Sequence, residues 1–284
     1  MIRINNIILE SLHNHKHMLA DIRYETNGIK KPIILFIHGF KGFKDWGHFN
    51  LIADYFADNG FVYSKINLSH NGTTLDQPED FADLEAFGNN NFSIELDDIG
   101  VMIDLLQSEE NPVPEKEIDK NTIYLTGHSR GGGMIILKAA EDRRIKGIAT
   151  WAALSDLLKI WPEEVLQKWE KDGVFYIFNS RTKQNMPLYY QLVQDVKNHP
   201  DRLNIPQAAA SITCPWLICH GTEDESLPLT MATDPKLWNK NVTLFIIENA
   251  GHTFGGKHPY EIRELPPDTK KLVEETKVFF DLIR

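Results

Sequence analysis

The run Gly127-His-Ser129-Arg-Gly131 places a hydroxyl between two glycines, directly after the apolar segment Thr122-Ile-Tyr-Leu-Thr126 and before the glycine run 131–133. That pattern fits Gly-x-Ser-x-Gly on a tight strand-to-helix turn, where flanking side chains must be nearly absent for the serine to be presented. A serine hydroxyl is a weak nucleophile, so it needs a histidine to take its proton and a carboxylate to orient that histidine. Two later segments offer them: His220-Gly-Thr-Glu-Asp224-Glu-Ser and Glu248-Asn-Ala-Gly-His252-Thr-Phe254. Each follows an apolar run that reads as a parallel strand, and active sites of open α/β sheets assemble at such strand ends. Asp224 is the leading candidate for the acid. Glu223, Glu225 and Asp156 compete with it, the two glutamates more simply as solvated loop charges.

The other histidines are weighed in the same way. His38 and His220 each precede a glycine at a strand end and read as hydrogen bonders of turns. His128 is expected to pack under the serine turn. His70, after a strand end, is a candidate for the substrate cleft. His13, His15 and His17 alternate in a polar turn with no carboxylate or cysteine at ligand spacing, so no metal is expected. The developing oxyanion needs two backbone N–H donors, expected from Arg130 and from Phe40 in His38-Gly-Phe-Lys-Gly42; losing one such donor costs about 3 kcal/mol.

The elements that must carry these residues alternate. Strands are expected at 2–10, 18–26, 32–37, 61–68, 122–126, 145–151, 215–219 and 242–247, with helices at 48–58, 93–108 (Ser93 as N-cap), 131–141 and 268–283. Alternation at this spacing implies a parallel sheet with right-handed crossovers. Residues 69–92 form a long polar stretch. The pattern breaks at 155–211, where Trp161, Trp169, Phe175, Tyr176, Tyr189 and Tyr190 lie among charges. This segment is expected to be a helical cap inserted into a core domain made of 1–154 and 212–284, with Trp161 in an apolar binding wall.

With these residues assembled, the chain resembles the α/β-hydrolase superfamily over nearly its whole length. The resemblance rests on His38-Gly-Phe40, Gly-His-Ser129-Arg-Gly, His-Gly-Thr-Glu-Asp224 and Gly-His252. Within the superfamily it is similar to dienelactone-hydrolase-like and feruloyl or cinnamoyl esterases, and to the hydrolase domain of prolyl oligopeptidases. It implies an eight-stranded, mostly parallel sheet and the triad Ser129, Asp224 and His252. Dienelactone hydrolases carry cysteine where this chain has Ser129, and no propeller precedes the hydrolase segment. The expectation is therefore a carboxylic ester hydrolase acting without a cofactor on a small ester. Amide cleavage or acyl transfer on the same triad, and a non-catalytic binding role, are the alternatives.

Composition bounds the rest. A formal net charge of −10 over 284 residues argues against nucleic acid as a partner, since phosphate binding needs clustered Lys and Arg. No run of 18 apolar residues suggests a membrane span and no secretory signal is evident. Cys214 and Cys219, expected in one strand with five residues spanning about 16 Å, cannot bridge. A cytoplasmic monomer or homodimer is expected.

Overall fold

A computed structural model describes residues 1–284. Its centre is an eight-stranded sheet built from β1 (Ile2–Glu10), β2 (His17–Tyr24), β3 (Lys31–Ile37), β4 (Val62–Asn67), β5 (Ile118–His128), β6 (Ile145–Trp151), β9 (Trp216–Gly221) and β10 (Val242–Ile247). The spatial order is β1-β2-β4-β3-β5-β6-β9-β10. Within this sheet only the pairings of β2 are antiparallel; β4, β3, β5, β6, β9 and β10 run parallel. This is the parallel sheet the alternation implied, with the eight strands that the resemblance implied.

Side chains on one strand alternate between the two faces, and the core divides accordingly. Ile33, Leu35 and Ile37 of β3 join one apolar cluster with Trp216 and Ile218 of β9. The intervening Ile34 and Phe36 join the opposite cluster with Leu217 and Cys219. The first face is covered by α3 (Phe92–Gln107), α4 (Arg130–Glu141), α7 (Ile205–Ser211) and α8 (Thr230–Trp238), the second by α1 (Phe49–Asp58) and α9 (Pro267–Leu282). Strands buried on both faces explain why 32–37 and 216–219 read as continuous apolar runs. No helix is long and apolar enough to cross a membrane.

Two local readings are corrected. The N-cap of α3 is Asn91, whose side chain accepts from the Ile94 amide at 2.9 Å, while the Ser93 hydroxyl donates to Asp195 at 2.7 Å. The polar stretch 69–92 contains a short helix, α2 (Leu84–Gly88), capped by Asp83.

The segment after β6 holds α5 (Glu163–Asp172), α6 (Gln191–Asn198) and a hairpin of β7 (Val174–Asn179) and β8 (Gln184–Tyr189) that was not foreseen. The hairpin alternates: Tyr176 and Phe178 face solvent, while Phe175 packs on Trp161 and Trp169 at ring-centroid distances of 5.5 and 5.8 Å. A lone hairpin is marginal in water. Trp169, fully buried, donates its indole N–H to the Leu188 carbonyl at 2.7 Å and ties α5 to β8.

Candidate active site

Ser129 lies between β5 and α4 with φ 55° and ψ −119°, a region sparsely populated by residues with a Cβ and costing about 1–3 kcal/mol. Neighbouring backbone holds it there: the Ser129 amide donates to Trp151 O at 2.9 Å and its carbonyl accepts from Leu154 N at 3.2 Å. The turn closes only because its flanks have no side chains. A Cβ on Gly127 would stand 2.5 Å from Gly131 O, and one on Gly131 would stand 2.4 Å from Ile37 O.

Register brings the partners alongside. Ile247 of β10 pairs with Gly221 of β9, so the loops carrying His252 and Asp224 leave the sheet side by side. Ile37 pairs with Gly127, so the loop carrying Phe40 leaves next to Ser129. The result is a continuous line: Ser129 Oγ to His252 Nε2 at 2.9 Å, and His252 Nδ1 to Asp224 Oδ2 at 2.8 Å. The second oxygen of Asp224 accepts the Ser226 and Leu227 amides, both at 2.8 Å. Burial alone would raise this carboxyl; the His252 hydrogen bond and the two amides outweigh it and hold Asp224 below its ordinary value. A carboxylate fixed in this way keeps the Nδ1 proton on its own side of the ring and leaves Nε2 to accept from the serine.

Of the competing acids, Asp156 caps its own loop through the Leu158 and Lys159 amides. Glu225 holds the base from behind, accepting the His252 amide at 3.2 Å.

His128 does not pack under the turn. Its ring stands 4.8 Å from that of His252 and its Nε2 donates to His252 O at 2.9 Å. Burial, with His252 nearby, pushes its pKa down to about 3, so it is a neutral donor. His38 donates from Nδ1 to Gly39 O at 2.9 Å within the loop after β3, and burial lowers it to about 4. His220 contacts Leu227 O at 3.1 Å.

The loop after β3 is pinned by buried charge. The Lys44 amide donates to Asn67 at 2.6 Å, and the ammonium groups of Lys44 and Lys65 meet Asp21 at 2.9 and 2.6 Å. Phe40, in this loop, makes no backbone hydrogen bond through its amide. The Arg130 amide opens α4, where first-turn N–H groups have no intrahelical acceptor. Both residues border the space above Ser129. The Arg130 side chain turns away to pair with buried Glu95 at 3.0 Å.

Two cavities meet at Ser129 and share Phe40, Lys41 and His252. One, of about 460 Å³, is apolar, with Phe92, Leu154, Leu157, Trp161, Ile177 and Leu192 in its wall. The other, of about 320 Å³, is polar and includes Asn179, Arg181, Thr253 and His258. His70 lines neither. It is buried, 1% exposed, with Nδ1 2.7 Å from Ser69 Oγ, because the Ser69 amide is drawn inward to Asp98 at 2.8 Å. Lys41, Ile177, Arg181 and His258 were not singled out by sequence: no motif marks them, and the unforeseen hairpin carries two.

The prolyl oligopeptidase family matches the chain over residues 47–266. No curated protein matches it in sequence. Among solved structures it is similar to Est1E from Butyrivibrio proteoclasticus in a ferulic acid complex, at 18% identity and a TM-score of 0.72, covering 96% of this chain and 97% of that one. A hydrolase from Agrobacterium vitis S4 shares 14% identity with a TM-score of 0.72, covering 98% and 99%. A puromycin-hydrolysing peptidase from Mycobacterium tuberculosis shares 14% with a TM-score of 0.65, covering 98% of this chain and 39% of that one. These likenesses carry the fold.

Proposed function

The chain belongs to the prolyl oligopeptidase family and is a serine hydrolase of the α/β type, and from that premise we propose that it cleaves a carboxylic ester through an acyl-enzyme on Ser129. The observation that carries the reading is the hydrogen-bonded line from Ser129 Oγ through His252 to Asp224, 2.9 and 2.8 Å long, opening into both cavities. Ser129 Oγ attacks the ester carbonyl as its proton passes to His252 Nε2. Asp224 stabilises the imidazolium. The carbonyl oxygen becomes an oxyanion facing the amides of Phe40 and Arg130. As the tetrahedral intermediate collapses, the C–O bond to the leaving group breaks and His252 returns the proton to the departing alcohol. Water, deprotonated by the same histidine, then releases the acid.

Two things favour an ester over a peptide. A free amino-terminus held in the cleft would need a carboxylate beside its ammonium, and no Asp or Glu side chain lines either cavity. The apolar cavity suits an aliphatic or aryl group with no hydrogen-bonding requirement. Amide cleavage on the same residues is favoured by the family match, and an aminoacyl 4-nitroanilide assayed beside 4-nitrophenyl butyrate separates the two.

The test is stoichiometric labelling by a fluorophosphonate, together with 4-nitrophenyl butyrate turnover in Ser129→Ala. Labelling is expected at Ser129, and the variant is expected to lose about 10⁴-fold or more in kcat. Full activity in Ser129→Ala would sink the proposal, and unlabelled, folded protein would favour a binding role.

A further inference from the structure

In a chain of net charge −10, the cleft around Ser129 is charged the other way. Lys41 borders both cavities, Arg181 borders the polar one, and no acidic side chain lines either. Buried lysines elsewhere are paired: Lys31 with Glu117 at 2.8 Å, Lys44 and Lys65 with Asp21, and Lys138 with Glu141 at 2.9 Å. Lys41 is the exception. It is half-buried directly after Phe40 in a left-handed conformation, φ 55°. Its ammonium lies 5.9 Å over the Phe40 ring, and no hydrogen-bonding or charged partner acts on it. Burial pushes its pKa below the ordinary value, with no carboxylate to offset the shift.

Arg181 completes the arrangement from the cap. Asp80 holds it at 2.9 Å and the Glu79 carbonyl at 3.2 Å, and its guanidinium lies over Phe43 and Phe81 at 5.7 and 5.6 Å. Those contacts use two of its five N–H donors. His258 accepts the Gly47 amide on Nδ1 at 2.9 Å, so its ring proton sits on Nε2, a further donor in the wall of the same cavity.

Building on the ester reading above, we propose that the polar cavity binds a carboxylate through Lys41 and Arg181, so that the ester cleaved joins an apolar group to a carboxylate-bearing one. The two halves lie on opposite sides of Ser129. The apolar half occupies the larger cavity, and the carboxylate meets the ammonium beside the oxyanion loop and the guanidinium of the hairpin. Ionised partners make hydrogen bonds roughly twice as strong as neutral ones, and a substrate lacking the carboxylate leaves the Lys41 ammonium unpaired, while Arg181 keeps Asp80.

The experiment compares matched esters of wild-type enzyme by kcat/KM, each corrected for its rate with hydroxide. One pair, 4-carboxyphenyl butyrate and its methyl ester, places the charge on the alcohol. The other, mono-4-nitrophenyl adipate and 4-nitrophenyl hexanoate, places it on the acyl group. At least about a tenfold preference for the carboxylate is expected in one pair. Lys41→Gln should bring that ratio towards one, and Lys41→Glu should invert it. Arg181→Gln lowers the same ratio and serves if the Lys41 variants do not fold. A wild-type ratio at or below one in both pairs overturns the proposal while leaving the ester reading intact. So does a ratio unchanged in both Lys41→Gln and Arg181→Gln, or a stronger preference for 4-phosphonophenyl butyrate. No turnover of any ester removes the ester reading itself, and this proposal with it.

Discussion

Among 11 histidines, what separates His252 from the rest is its two partners, because a general base must be oriented by one group and reach the nucleophile with the other nitrogen. His128 supports it from the side. Its Nε2–H holds the His252 carbonyl at 2.9 Å, which fixes the loop after β10 against the serine turn. Removing that bond in His128→Ala is expected to lower kcat about tenfold, with a smaller change in KM because the cavities remain. His128→Gln, which keeps a donor amide near the same place, should recover part of the loss. Steady-state kinetics on 4-nitrophenyl butyrate read both. An unchanged kcat in His128→Ala would show that the loop holds its place without the bond.

The strands carry the catalytic residues and the inserted segment carries the walls, and the two were unequally legible. A parallel strand buried on both faces announces itself as an apolar run, so β3, β5, β6 and β9 could be placed from sequence, as could the half-buried apolar run of edge strand β10, together with the loops after them. The β7–β8 hairpin buries one face only and includes Pro187 in the interior of β8, where proline is expected only on an edge strand. Its solvent-facing Tyr176 and Phe178 blur the alternation further. Trp169 is what joins it to α5. Trp169→Ala is expected to cost about 3–5 kcal/mol through the cavity left behind. Hydrogen exchange should show protection falling first in β7 and β8, with the central sheet less affected. Uniform loss across the sheet would mean that cap and core unfold as one unit.

For the molecule as a whole, buried neutral histidines make stability depend on acid. Burial lowers His38, His48 and His70 from 6.5 to about 4. Between those values the unfolded chain binds protons that the folded one does not, so stability falls as pH drops through this window, by about 1.4 kcal/mol per unit for each such group. Asp98 opposes them: burial raises it from 3.8 to about 6, so the folded state binds the extra proton between those values and gains stability as pH falls. With His128, lowered further to about 3, four histidines act against Asp98 and give a net loss. The midpoint of thermal unfolding should therefore drop steadily from pH 6.5 to 4.5, and Asp98→Asn should steepen that fall. A flat profile would mean that these rings are open to water.

The sequence by itself determined the nucleophile turn, the order of acid and base, and the α/β class, because each rests on local chemistry: glycines at a forced turn, and polar residues directly after apolar strands. Only the tertiary structure decided which of several carboxylates meets His252, that His128 braces the base while His70 is buried away from it, and that Lys41 and Arg181 share one cavity. Arg181 lies 140 residues along the chain from Lys41, and their meeting depends on how the hairpin docks over the sheet. No spacing in the sequence encodes that, since it follows from the packing of Trp169 and Phe175.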